Sequence, residues 1–136
     1  MKEMNAYLIF DGNCREALKF YARCTGGDLH LSTFAEAPGD FPPEAQESIM
    51  HARLAKGTAV IMASDTMPGH PYIVGNNVWV AIKGESAEET EKLFAAFSEN
   101  GKVVMPVGET FWAVRFGMLT DQFGVNWMFN FEKSRQ

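Results

Sequence analysis

The sequence predicts an α+β fold of two tandem β-α-β-β-β modules, and three observations carry the prediction. A strand-like segment near the N-terminus runs straight into an amphipathic helix. The same pairing returns about seventy residues later, and such self-similarity marks a structural unit used twice. Three further strand-like segments follow each helix. At 136 residues, 46% of them hydrophobic, the chain is expected to form one domain over residues 1–136. Module 1 spans about residues 4–64, an irregular linker 65–75, and module 2 about 76–132.

Asn5-Ala6-Tyr7-Leu8-Ile9-Phe10 is apolar, aromatic and β-branched enough for a strand, and Asp11-Gly12-Asn13 ends it. Asn13 is placed to cap a helix, with Glu16 three residues on. Cys14, Ala17, Leu18 and Tyr21 then recur at i, i+3, i+4 and i+7 until Gly26-Gly27 stops the pattern. In module 2 the strand is Asn77-Val78-Trp79-Val80-Ala81-Ile82 and the turn Lys83-Gly84-Glu85. Ser86 and Glu89 form a capping box, Thr90, Leu93, Phe94 and Phe97 the apolar stripe, and Asn100-Gly101 the stop. Superposed without a gap, the first strands match Asn5 with Asn77, Tyr7 with Trp79, Leu8 with Val80 and Phe10 with Ile82.

The remaining strands read as about 28–34, 49–55 and 58–64 in module 1, and 102–107, 111–119 and 125–131 in module 2. Ala52-Arg53-Leu54 lines up with Val114-Arg115-Phe116, which makes Arg53 and Arg115 equivalent. Residues 35–48 contain Pro38, Gly39, Pro42 and Pro43, too much proline for a central strand, and read as a long loop. A sheet with one helix on one face must bury its other face elsewhere, so two curved mixed sheets are expected to enclose a cavity. Tyr7 and Trp79, alternating with the helix-facing Leu8 and Val80, are expected to point into it.

The charge balance narrows the partners. With 12 Lys and Arg against 17 Asp and Glu, a net charge of -5 and no basic cluster, neither nucleic acid nor an anionic membrane is an expected partner. No run approaches the ~20 apolar residues of a membrane span, and the N-terminus lacks the basic and long apolar regions of a signal peptide. Cys14 and Cys24 fall on one helix, about 15 Å apart at the helical rise per residue, too far to pair. Unpaired thiols fit a reducing, cytoplasmic location. The chain has no Gly-rich phosphate loop, no Gly-x-Ser-x-Gly turn and no Cys-x-x-Cys pair.

Longer motifs carry a family resemblance. The opening Tyr7 to Tyr21 (YLIFDGNCREALKFY), Ile49-Met50-His51-Ala52-Arg53-Leu54, Met62-Ala63-Ser64-Asp65, Glu109-Thr110-Phe111-Trp112, Arg115-Phe116-Gly117 and Thr120 to Met128 (TDQFGVNWM) together resemble the PhnB-like branch of the vicinal oxygen chelate superfamily. This is the superfamily of glyoxalases, bleomycin-resistance proteins and dioxygenases, and the branch often carries a 3-demethylubiquinone methyltransferase label. The resemblance covers nearly the whole chain and implies a glyoxalase-like fold and a homodimer. The methyltransferase label has no physical support in the pattern, because a doubly wound cofactor-binding sheet needs alternating parallel β-α units that this chain lacks.

In the metal-dependent enzymes the chain resembles, His or Glu side chains on the first and last strands of each module chelate a divalent ion that polarises vicinal oxygens of the substrate. Aligned here, those positions carry Asn5, Ile61, Asn77 and Met128. Amides, a hydrocarbon and a thioether suit such an ion poorly, so no metal and no cofactor are expected. The expected partner is instead a small organic molecule, bound by Asn5, Tyr7, His51, Asn77, Trp79, Trp112, Arg115 and Met128. Arg115, like Arg53, is suited to anchoring a carboxylate or phosphate, or else to an ion pair with Asp65, Asp121 or Glu109. His51 and Asp65 are the candidate acid-base groups if the protein is an enzyme, and His30 is a weaker candidate. Any one aromatic among Tyr7, Trp79, Trp112, Trp127, Phe34 and Phe111 suits a core; as a group they suit a pocket for a planar ligand.

Overall fold

The computed structural model describes residues 1–134. The chain forms two compact units that divide between Ile73 and Val74, inside the expected linker. Module 1 contains β1 (Ala6–Phe10), α1 (Cys14–Thr25), β2 (Asp28–Thr33), β3 (Ile49–Lys56) and β4 (Ala59–Asp65); module 2 contains β5 (Val80–Lys83), α2 (Ala87–Phe97), β6 (Lys102–Gly108), β7 (Ala113–Thr120) and β8 (Asn126–Glu132). Each module has a four-stranded mixed sheet, ordered β1-β4-β3-β2 and β5-β8-β7-β6. In both, the first and last strands pair in parallel and the other neighbours are antiparallel. This is the α+β architecture expected of the repeat.

Each helix covers one face of its own sheet. In module 1 the stripe Cys14, Ala17, Leu18 and Tyr21 is fully buried against β3, β2 and β4. The strands present small or branched residues there, Ala52, Leu54 and Ala63. In module 2 helix and strand both present aromatic residues. Phe94 and Phe97 pack edge to face on Phe129, and Phe97 also on Trp127, with centroids 4.8 to 5.5 Å apart. Gly117 makes room for this, since a Cβ there would lie 2.7 Å from the Phe94 ring. Interiors near crystal density require such compensation of large by small.

The ends of the helices show where local chemistry differs from expectation. Ser86 caps α2 as predicted, accepting from the Glu89 N–H at 3.0 Å, while the Glu89 carboxylate reaches one residue further back to the Glu85 N–H. Asn13 makes no side-chain cap on α1. Asp65 takes over that task from the end of β4, accepting from the N–H groups of Gly12 (3.0 Å) and Cys14 (2.9 Å). A full carboxylate bound to the first turn of a helix is a stronger cap than a neutral amide.

Two further differences concern extent. The predicted loop at 35–48 contains two single-turn 3-10 helices, Phe34–Glu36 and Pro43–Ala45. The predicted strand at Asn77 begins only at Val80, because its partner β8 offers pairing only from Trp127, opposite Val80. Before that point Trp79 donates its indole N–H to the Asn76 carbonyl at 3.0 Å, an interaction of a turn.

Candidate functional site

The face of each sheet turned away from its helix is the candidate site, and strand alternation assigns its residues. In module 1, Leu8 pairs with Ala63 on the helix side, so Tyr7 and its partner Met62 lie on the open side. Met62 pairs with Arg53, and Arg53 with His30, which completes one row across the sheet. His51, opposite Ser32, stands on the same face two residues from Arg53. The Tyr7 hydroxyl lies 3.3 Å from His51 Nδ1, with ring centroids 5.9 Å apart. When the phenol donates to Nδ1, the ring proton sits on Nε2, which is left as a donor. Tyr7 and His51, each expected at the site, are thus brought together.

The open face of module 2 has a different chemistry. Met118 pairs with Met128, Met105 with Met118, and Phe116 with Asn130. Trp112, at the entry to β7, packs edge to face on Phe116 at 5.3 Å and on Phe111 at 4.9 Å. Three thioethers and an aromatic cluster make a soft, polarizable surface. Met128 and Trp112 were expected here; Met105, Met118 and Phe116 were not, although alternation along β6 and β7 is the signal that places them. The Asn130 side-chain oxygen, also on this face, is buried without a hydrogen-bond partner. Asn5 and Asn77 both precede the strands expected to carry them, Asn5 half-buried and Asn77 exposed.

Arg115 lies elsewhere. It shares the helix side of β7 with Gly117 and Leu119 and forms an ion pair with Glu91 of α2, while its Nη1 donates to the Val114 carbonyl at 2.7 Å. The ion-pair partner is therefore Glu91 rather than Asp65, Asp121 or Glu109. The expected equivalence of Arg53 and Arg115 also fails. Ala63 and Trp127 hold matching places opposite Leu8 and Val80, so the counterpart of Arg53 is Thr120, opposite Asn126.

Asp65 is a structural bracket. Besides the two α1 contacts, it accepts from the Ile49 N–H at 2.8 Å, tying β1, α1 and β3 together while 5% exposed. With three donors satisfied on the helix side it has no access to the open face. Cys14 beside it has its thiol pushed up to about 12, first by burial and then by the negative charge of Asp65 and Glu16. In module 2, Asp121 bonds the N–H groups of Phe123 and Val125 and the Trp127 indole. It closes a shallow crevice of about 570 Å³ with Val74 to Asn76, Asn100 to Lys102 and Gln122, a lining without the expected aromatic residues.

Ile61, expected among the inherited metal positions, pairs with Ala6 and faces the helix. The open-face residues beside it are Val60 and Met62, which leave the donor set without carboxylate, imidazole or thiolate. Among the described residues no group of three His, Cys, Asp or Glu side chains is placed to hold a metal ion. The residues present do not fit a divalent metal at the inherited positions.

Known proteins share both sequence and fold. The family described as 3-demethylubiquinone-9 3-methyltransferase matches residues 2–129. Protein YjdN of Escherichia coli K12 is 34% identical over 97% of each chain. The crystal structure of protein PA1353 from Pseudomonas aeruginosa superposes with a TM-score of 0.90 at 44% identity, covering 98% of this chain and 100% of that one. A Bacillus cereus PhnB protein, described as a putative 3-demethylubiquinone-9 3-methyltransferase, shares the fold with a TM-score of 0.78 at 22% identity, covering 96% and 99%.

Proposed function

The chain belongs to the 3-demethylubiquinone-9 3-methyltransferase family, a PhnB-like branch of the vicinal oxygen chelate superfamily, and we propose that it binds a small organic molecule without a metal. The observation that carries this reading is the donor set: the inherited metal positions hold amides, hydrocarbon and thioether, while the open faces keep organised recognition groups. Tyr7 and His51 supply paired hydrogen-bonding groups, and Trp112, Phe116, Met118 and Met128 supply apolar contact for a planar body. Tyr7, Ile9, Met105 and Trp112 are each more than two-fifths exposed in the single chain, and association into a homodimer would remove such apolar surface from water. No described helix is long and apolar enough to cross a membrane, and the expected location is the cytoplasm.

A second reading is favoured by the 3.3 Å contact of Tyr7 with His51. A phenol that fixes an imidazole tautomer is a positioning device for a general acid or base, which makes a metal-free catalyst the alternative. Asp65 has no part in it. Native mass spectrometry of protein isolated under gentle conditions, with identification of the released compound, separates the two. Recovery of an unchanged compound supports binding. Conversion of the compound, abolished in His51→Ala and slowed in Tyr7→Phe, supports catalysis; a protein that retains and recognises nothing contradicts both.

A further inference from the structure

We infer, resting on the binding reading above, that the open face of module 1 is an oxyanion site, and that its ligand carries a carboxylate or phosphate held by Arg53 with His30 and His51. The register places His30 directly opposite Arg53, and His51 two residues from Arg53 on the same face. Opposed residues in a sheet lie about 5 Å apart at Cβ and same-face neighbours along a strand about 7 Å, so one small anion spans all three.

Of the two arginines on internal strands, Arg115 has a carboxylate partner in Glu91. Arg53, exposed, has no ion pair among the described residues. The acidic residue that shares the face on β2 is Asp28, opposite Ala55 at the strand end, and it does not reach the guanidinium. A bound anion would supply the oxygen partner that the exposed guanidinium lacks, with the imidazoles placed beside it to hydrogen-bond.

The donors are also organised. When Tyr7 donates to Nδ1, the His51 Nε2–H is left to donate; Ser32 adds a hydroxyl opposite His51, and the planar guanidinium matches the two oxygens of a carboxylate or phosphate. Arg115, the other arginine on an internal strand of its sheet, is engaged by Glu91 and takes no part.

The test is a titration of the full-length protein with benzoate and, separately, with inorganic phosphate, followed through the imidazole resonances of His30 and His51 and the Arg53 side-chain N–H. Saturable shifts at all three, with the Arg115 signal unmoved, are the expected result. Arg53→Gln should weaken the anion by about tenfold or more, and Arg53→Lys should recover part of the loss. Tighter benzoate assigns a carboxylate, tighter phosphate a phosphoryl group. Imidazole signals that ignore both anions, or an Arg53→Gln protein that titrates like the parent, overturn the inference. A neutral compound retained on this face without any anion response overturns it too, while the binding reading stands.

Discussion

The two modules repeat the same strand order and register yet solve their two faces differently. On the helix side each module buries an aspartate at the end of a strand, Asp65 gathering three backbone N–H groups and Asp121 two backbone N–H groups and an indole. Helix residues of mixed size over the mostly small strand residues of module 1 become aromatic residues on both partners in module 2, accommodated by a glycine. The open faces share nothing comparable: Tyr7, His30, His51 and Arg53 stand against Met105, Phe116, Met118 and Met128. Packing constrains the side under the helix, and chemistry is free to diverge on the side without one.

The largest expected effect tests the shared bracket. Asp65→Ala strands the three N–H groups it serves and should cost about 3 kcal/mol or more in chemical denaturation; Asp121→Ala should cost a similar amount. If either variant is as stable as the parent, the two brackets are not equivalent. Gly117→Ala should lose about 1–3 kcal/mol by overpacking against Phe94, measured as a shift in denaturant midpoint. Full stability would mean that the aromatic layer of module 2 yields more readily than its packing suggests.

The buried thiol gives a pH test on module 1. Folding raises the Cys14 pKa from 9.0 to about 12, so the native state holds a proton that the unfolded chain releases between those values. This contribution to stability is fully present below pH 9 and is lost as pH rises toward 12. Native protein should accordingly react with a thiol reagent at Cys14 only on unfolding, read by mass spectrometry; rapid labelling at neutral pH would contradict the burial. The smallest effect belongs to Arg115→Gln, expected to change stability by no more than about 1 kcal/mol, since its ion pair is partly solvated.

Much of this fold was legible because helical periodicity and glycine stops are local signals. Cys14, Ala17, Leu18 and Tyr21 were recognised as one stripe, and all four are buried. What was not legible is pairing. The expected equivalence of Arg53 and Arg115 followed from aligning similar tripeptides, whereas the face a strand residue occupies is set by register with its neighbours. A slip of one residue reverses every assignment, as Ile61 also shows. Asp65 escaped for a related reason: its role as a cap for α1 depends on contacts about fifty residues away in sequence, beyond any capping motif. Tyr7 and His51 were both chosen from local sequence, but their contact across the sheet required the fold.

The most direct test of the central claim, a binding face without a metal, is elemental analysis of protein purified without chelator, combined with titration of Mn, Fe, Ni and Zn under tryptophan fluorescence. The account predicts substoichiometric metal in the isolated protein and no saturable tight response to any of the four ions. One tightly bound divalent ion per chain would contradict it, and would mean that side chains other than those at Asn5, Val60, Met62, Asn77 and Met128 form the site.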